Sequence, residues 1–195
     1  MKKNKVGIPN KEQLKRELYR EKQKLRRREM LFGTVEALTV AAAVTVLAAF
    51  LIAPVLQIDG SSMEPLLQNG EMVLSFRKRN LTRGDIVAFH HNGKILIKRI
   101  IALEGETVNI DEDGYVYIDD QLLNEDYVKD NTPALGKCNI TLPCKVPEGS
   151  AFVMGDNREV SVDSRSVEVG CVSKEQMISK VAFRIWPLAD IGLLE

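Results

Sequence analysis

The stretch ALTVAAAVTVLAAFLIAPVLQI, residues 37–58, runs for 22 residues without a charged side chain. As a helix rising 1.5 Å per residue it would be about 33 Å long, enough to cross a hydrocarbon core of about 30 Å. A buried core helix and a cleavable signal peptide are the alternatives. The run exceeds the 7–15 apolar residues of a signal peptide, and no convincing small-x-small cleavage site follows it. We therefore predict one retained transmembrane helix within residues 31–58.

The charges on the two sides of this stretch are opposite. Residues 1–30 carry 12 Lys or Arg against four Glu, a balance of +8, although the whole chain has 27 of each sign. The positive-inside rule places residues 1–30 in the cytoplasm and the chain after the helix outside the plasma membrane. A basic arm could also bind nucleic acid, but no aromatic stacking pattern accompanies it. We expect the lipid bilayer as its partner and no nucleic acid.

Beyond the apolar stretch the pattern is that of short β-strands. Runs of β-branched and aromatic residues are separated by turn signals such as Asn92-Gly93 and Asp113-Gly114. We expect residues 59–195 to form one extracytoplasmic, mainly β domain with antiparallel strands. The predicted strands are residues 72–76, 85–89, 95–101, 107–110, 115–118 and 151–154, and one short helix is predicted at 174–180.

Three cysteines lie in this domain. Cys138 and Cys144 are six positions apart in a polar loop on the oxidising side of the membrane, which favours a disulfide that clamps the loop. Zinc binding together with His90 and His91 is the alternative, but no Cys-x-x-Cys spacing supports it. Cys171 stands in an apolar run, where we predict a buried thiol. No metal ion is expected.

Two segments carry side chains suited to nucleophilic chemistry. Residues 59–65, DGSSMEP, hold Ser62 close behind the apolar stretch, although such a segment is also typical of a flexible junction or a helix cap. Residues 95–101, ILIKRII, place Lys98 between aliphatic neighbours on one strand face. Burial there would lower the lysine pKa by roughly two to three units, which makes the amine a base near neutral pH. A lysine that extends from an edge strand into solvent is the alternative.

A third segment, residues 155–165 (GDNREVSVDSR), is dense in hydrogen-bonding side chains. It suits either a polar shell that supports a nearby base or a solvated loop. A serine nucleophile needs a group that takes its proton, and a neutral lysine can replace histidine in this role. A triad with histidine would have to use His90 or His91, which are adjacent near a predicted hairpin tip.

The motifs after the apolar stretch come in a defined order: Gly60-x-Ser62-Met63-x-Pro65, Arg83-Gly84-Asp85-Ile86-Val87, Lys98-Arg99-Ile100-Ile101, and Gly155-Asp156-Asn157-Arg158 with Ser161 and Asp163-Ser164-Arg165. In order and spacing they resemble bacterial type I signal peptidases, from the apolar stretch to about Pro187. The resemblance implies an antiparallel, barrel-like β fold and a serine–lysine endopeptidase that removes signal peptides from exported preproteins.

The resemblance also implies a role for individual residues. Ser62 would be the nucleophile and Lys98 the general base, and the Ser161 hydroxyl would orient the lysine amine. Met63 would help to shape the site. The Ser62 N–H would stabilise the oxyanion, and Gly60 stands where some members of the family carry a serine that adds a second donor.

Around these groups, Arg99, Asp163 and Arg165 would form a supporting polar cluster. The family implies small residues at substrate positions −1 and −3, a substrate bound as an extended strand, and no metal or cofactor. The secretion translocase would lie nearby. The chain departs from the family pattern at Asp119-Asp120, where an Asn-Gly-type turn is frequent, and at Ser179-Lys180, where Gly-Lys is common.

Three other protein classes share parts of this pattern. A self-cleaving repressor-type Ser-Lys protease would carry a DNA-binding domain in place of the apolar stretch. A signal peptidase of the archaeal or endoplasmic-reticulum type has histidine at the position of Lys98, whereas His90 and His91 lie seven or eight residues earlier. A catalytically silent membrane protein of pilus assembly would lack the serine or the lysine, and this chain has both.

Overall fold

The computed structural model describes residues 10–77, 80–128, 134, 136 and 138–194. The chain divides into two units, Met1–Ala49 and Phe50–Glu195. Helix α1, Lys11–Ile52, begins in the first unit. Its first turn is closed by two hydrogen bonds, from Asn10 N to Gln13 Oε1 at 3.1 Å and from Leu14 N to Asn10 O at 3.0 Å. The first of these bonds satisfies a backbone N–H that a helix start otherwise leaves without a partner, and the second is the first regular bond of the helix.

Helix α1 ends at Ile52, before the end of the predicted span at residue 58. Pro54 disfavours helical backbone for the residue before it, and the chain continues as a strand instead. The hydroxyls of Thr39 and Thr45 donate to helix carbonyl oxygens four residues earlier, so neither needs water inside the apolar stretch. Among the described residues one helix is long and apolar enough to cross a membrane, which is consistent with a membrane anchor.

The described residues of the second unit form twelve strands, and every pairing between them is antiparallel. They are β1 Val55–Gln57, β2 Met72–Phe76, β3 Ile86–His91, β4 Lys94–Leu103, β5 Thr107–Ile110, β6 Val116–Ile118, β7 Gln121–Leu122, β8 Cys144–Lys145, β9 Ser150–Met154, β10 Val172–Ser173, β11 Met177–Trp186 and β12 Gly192–Leu193.

These strands make two sheets. The larger has the order β1-β2-β11-β3-β4-β9-β10, with β12 added to β11, and the smaller has the order β7-β6-β5-β8. The prediction of a mainly antiparallel β domain is confirmed. Within the described part of the chain both sheets are open, so the predicted barrel-like fold is not a closed barrel.

Two tight turns join neighbouring strands through residues with positive φ. Between β3 and β4, Asn92 has φ 47° and Gly93 has φ 75°, the backbone of the predicted hairpin turn. Between β6 and β7, Asp119 and Asp120 have φ 49° and 63°. Aspartate tolerates this left-handed region better than most residues, so the two aspartates accommodate the tight turn where the family often has Asn-Gly.

The helix predicted at residues 174–180 is wrong. A turn follows β10, with Gln176 N donating to Ser173 O at 3.1 Å, and the chain then enters β11. Strand β11 pairs with both β2 and β3, so its backbone groups are satisfied by neighbours on two sides. Ser179 and Val181 are both buried, and this spacing of two residues is typical of a strand. The pairing of β11 on both sides therefore outweighs the helical pattern of the local sequence.

The sequence left open whether Cys138 and Cys144 form a disulfide, and in the structure all three cysteines are free. Cys144 lies on β8 and packs, together with Cys171, against an apolar cluster to which both sheets contribute. Burial, and to a lesser extent the neighbouring Cys144 thiol, raises the pKa of the Cys171 thiol to about 12. Cys171 is half-buried rather than fully buried. Cys144 therefore lies close to Cys171, a pairing that the sequence spacing did not indicate.

Candidate active site

Ser62 lies in the loop between β1 and β2, and the loop is anchored on both sides of it. Gly60 has φ 96°, a conformation that favours glycine, and its N–H donates to Asn69 Oδ1 at 2.9 Å. Met63 is buried in the apolar core, where Leu67 N donates to the Met63 carbonyl oxygen at 2.9 Å. The hydroxyl of Ser62 is thus carried by a backbone segment with little freedom to move.

Lys98 lies in the middle of β4, opposite Val87 of β3, and only 3% of its surface is exposed. Its Nζ is 2.8 Å from Ser62 Oγ and 3.0 Å from the Ile97 carbonyl oxygen. Burial lowers the Lys98 pKa from 10.5 to about 8, although the charges of Asp163 and Asp156 oppose this shift. The predicted lowering of the lysine pKa by burial is confirmed.

The segment after β9 holds the Ser62 backbone. Asn157 N donates to the Ser62 carbonyl oxygen at 3.1 Å, and Gly155 N donates to Asp163 Oδ2 at 3.0 Å. A Cβ atom at Gly155 would collide with the Ser62 carbonyl oxygen and the Ser161 hydroxyl, so only glycine fits there. The Ser62 N–H donates to no group among the described residues.

The supporting cluster consists of two separate buried ion pairs. Arg99 binds Asp156 through two hydrogen bonds of 2.9 and 2.7 Å. Arg165 binds Asp163 through two hydrogen bonds of 2.8 Å. Burial alone would raise the Asp163 pKa, but the hydrogen bonds and charge of Arg165, together with Ser161 and the Gly155 N–H, outweigh it and hold this pKa below its usual value. Sequence reasoning had placed Arg99 with Asp163 and Arg165, and it missed Asp156 although that residue belongs to the quoted Gly155-Asp156-Asn157-Arg158 motif.

Ser161 is buried beside this cluster, with 2% of its surface exposed. Its hydroxyl contributes to the lowered Asp163 pKa. Within the residues that the structure describes, no hydrogen bond joins Ser161 Oγ to the Lys98 amine, whose recorded partners are Ser62 Oγ and the Ile97 carbonyl oxygen. The role of Ser161 in orienting the amine stays a prediction.

The two histidines lie at the far end of the β3–β4 hairpin. His91 is paired with Lys94, four residues before Lys98, which is about 13 Å along a strand. His91 Nε2 is 3.1 Å from Asn92 Nδ2, and His90 lines a cavity of about 630 Å³ together with Arg77 and Lys174. Neither Ser62 nor Lys98 lines this cavity. In the described part of the chain, no hydrogen bond connects a histidine to Ser62.

Residues 31–186 match the family of signal peptidases, peptidase S26. The chain belongs to this family. A signal peptidase I from Bacillus licheniformis is 33% identical over 183 residues, which covers 88% of this chain and 97% of that protein. A signal peptidase IB from Staphylococcus aureus is 33% identical over 156 residues, which covers 68% of this chain and 78% of that protein.

A solved signal peptidase I from Enterococcus faecalis V583 is 36% identical and covers 52% of this chain and 97% of that one, with a TM-score of 0.43. The predicted family and enzyme class, a serine endopeptidase of the signal peptidase I type, are confirmed.

Proposed function

We propose that this member of the signal peptidase family removes signal peptides from exported preproteins, with Ser62 as the nucleophile and Lys98 as the general base. The observation that carries the proposal is the 2.8 Å contact between Lys98 Nζ and Ser62 Oγ. Such a contact is within the range over which a base takes the proton of its nucleophile. The lowered Lys98 pKa supplies neutral amine at physiological pH.

The reaction then proceeds in two halves. Ser62 Oγ attacks the carbonyl carbon of the residue at substrate position −1 while Lys98 Nζ takes the hydroxyl proton. The C–N bond breaks, and the lysine gives that proton to the leaving amine, which becomes the N-terminus of the mature protein. A water molecule next attacks the acyl ester and passes a proton to Lys98. The signal peptide leaves as a carboxylic acid, and the lysine returns the proton to Ser62 Oγ.

The oxyanion of each tetrahedral intermediate needs a donor. We assign this role to the Ser62 N–H, and its lack of another partner among the described residues supports the assignment. Gly60 carries no side chain that could add a second donor, so the backbone donor would act without that contribution. The Arg99–Asp156 and Arg165–Asp163 pairs and Ser161 would hold the lysine environment, and Met63 would fix the loop that carries the serine.

The proposal includes a membrane location. Residues 31–58 would anchor the chain in the plasma membrane, residues 1–30 would lie in the cytoplasm against anionic lipid, and residues 59–195 would act outside, near the translocase. The apolar helix and the basic N-terminal charge of +8 support this orientation. Small residues at substrate positions −1 and −3 are proposed from the resemblance to the family.

The kcat/KM of cleavage is expected to rise about tenfold between pH 6 and pH 7 and to level off above pH 8. Only the neutral amine of Lys98 can take a proton, and its pKa of about 8 sets the inflection in the free enzyme. The measurement is preprotein cleavage by the detergent-solubilised full chain over pH 5.5–9.5, at substrate concentrations well below KM. A flat profile across this range would contradict the assignment of Lys98 as the base.

The Ser62→Ala variant tests the proposed function. Cleavage of a preprotein is expected to fall by about 10⁴-fold or more, because among the described residues no other hydroxyl contacts Lys98 Nζ. Ser61→Ala is the matched control, since it removes the neighbouring hydroxyl and should leave the rate close to that of the unchanged protein. The mass of the released product should place a small residue at −1. Continued cleavage by Ser62→Ala would refute the proposal, and a wild-type chain inert toward all preproteins would favour a silent binding protein.

A further inference from the structure

Tyr127 lies in the loop after β7, outside every motif that the site uses. The Arg99 guanidinium carbon is 4.1 Å from the centroid of its ring, at the distance of a cation–π contact. Burial raises the pKa of Tyr127, so its hydroxyl stays protonated and donates to Glu125 Oε1 at 2.8 Å. The ring therefore covers one face of the guanidinium whose edge binds Asp156.

Glu125 binds a second buried arginine. Its two carboxylate oxygens accept from Arg158 Nη2 at 2.5 Å and Nη1 at 3.0 Å, and 1% of the Arg158 side chain is exposed. Arg158 Nε donates in turn to the Gly155 carbonyl oxygen at 3.1 Å. Glu125 thus neutralises the charge of Arg158, which in turn binds the segment that holds the Ser62 backbone.

Tyr127 contacts a residue next to Lys98, and Glu125 acts through Arg158 on the segment that holds the Ser62 backbone. Arg99 follows Lys98 directly on β4, and Asp156, its partner, is one of the two carboxylates whose charge acts on the amine. A buried ion pair is stable only while both charges keep their partners, because an unpaired charge in the interior costs free energy. Loss of the ring would admit water to Arg99 and weaken its compensation of the Asp156 charge.

We propose that Tyr127 and Glu125 are positioning residues for the Lys98 amine, Tyr127 by covering the Arg99–Asp156 pair and Glu125 by pairing with Arg158. This inference rests on the proposed function, in which Lys98 is the base. Neither residue contacts Ser62 or Lys98 directly. The smaller sheet, through the loop that follows β7, thereby contributes to a site whose other residues lie on the larger sheet and its loops.

The first experiment compares Tyr127→Leu with Tyr127→Phe in the full-length chain. The leucine variant is expected to lose at least about tenfold in kcat at unchanged KM. The phenylalanine variant keeps the ring over Arg99 and should recover most of that loss. Tyr115→Leu is the matched control, because it removes a half-exposed tyrosine that lies just before β6 and should leave kcat unchanged. Thermal unfolding of each variant separates lost positioning from lost folding.

The second readout is the pH profile. The charged groups that act on Lys98 are Asp163 and Asp156, which favour its protonated form, and Arg165, which opposes it. Tyr127→Leu leaves Asp156 less compensated, so the inflection of kcat/KM should move to higher pH by about half a unit. Glu125→Gln removes a negative charge from the same network, so its inflection should move to lower pH.

A purely structural role would move neither inflection. Wild-type kcat and an unshifted inflection in the folded Tyr127→Leu variant would overturn the inference, as would equal losses in the leucine and phenylalanine variants. Failure of the proposed function would look different, because Ser62→Ala and a Lys98 variant would then remain active whatever the Tyr127 variants do.

Discussion

Replacing Lys98 by methionine is expected to lower kcat/KM for preprotein cleavage by about 10⁴-fold or more. The methionine side chain fills a similar volume but has no amine to take the Ser62 proton, and no other basic group contacts Ser62 Oγ among the described residues. Cleavage of a preprotein by the solubilised full chain is the measurement. Residual activity that disappears in a His90 or His91 variant would instead place the base on a histidine.

The same substitution is expected to stabilise the fold. The Lys98 pKa of about 8 in the folded chain, against 10.5 for an ordinary lysine, corresponds to a destabilisation of about 3 kcal/mol below pH 8. The unfolded chain binds more protons between pH 8 and 10.5, so this destabilisation disappears as the pH rises through that window. The stabilisation by Lys98→Met should therefore be largest near pH 7 and smaller at pH 9.5.

Thermal unfolding at these two pH values tests the stability argument. The lost contacts to Ser62 Oγ and the Ile97 carbonyl oxygen reduce the gain by about 1 kcal/mol. Lys94→Met is a suitable control, since Lys94 is an exposed lysine on the same strand. A melting temperature for Lys98→Met that is lower than that of the wild type at pH 7 would contradict the burial of a costly charge.

Gly155→Ala is expected to reduce kcat/KM by about 10²- to 10³-fold. The new methyl group collides with the Ser62 carbonyl oxygen, a backbone atom that can yield only if the serine itself moves. A displacement of about 1 Å at a reacting group is enough for a loss of this size. The free energy of unfolding should also fall by about 1–3 kcal/mol, as is typical of an overfilled interior.

Two further variants sharpen this prediction. Gly192→Ala adds the same methyl group in β12, where no heavy atom lies within 4 Å, and should leave both rate and stability unchanged. Adding Ser161→Ala to Gly155→Ala removes the hydroxyl from the collision but leaves the Ser62 carbonyl oxygen in place, so activity should not return. Wild-type kcat/KM in Gly155→Ala would show that the serine backbone tolerates displacement.

The sequence predicted those features that depend on local pattern. Alternating apolar residues and the Asn92-Gly93 turn indicated the β3–β4 hairpin, and the aliphatic neighbours of Lys98 indicated its lowered pKa. The helix predicted at 174–180 does not form, because the pairing of β11 with strands on both sides outweighs the local helical tendency of these seven residues. The positions of Ser62 and Lys98 followed from motifs, whereas their contact could be seen only in the structure.

The sequence could not predict which carboxylate each buried arginine binds. Arg99 and Asp156 are 57 positions apart, and Arg158 and Glu125 are 33 apart. Each arginine has several carboxylates within comparable sequence distance, and only the packing of the sheets selects one of them. The proximity of Cys144 and Cys171 is of the same kind, since Cys144 lies on β8 of the smaller sheet and Cys171 lies just before β10 of the larger one.

The separation of the site residues along the chain has a consequence for biosynthesis. Ser62 precedes Lys98 by 36 positions, and the segment that holds the Ser62 backbone comes from residues 155–157. Contacts between such distant parts form late, because closing long loops is entropically unfavourable before the intervening strands pair. A chain that is still emerging or only partly folded therefore lacks an assembled serine–lysine pair. The proposed proteolytic activity would therefore arise only once the larger sheet is complete.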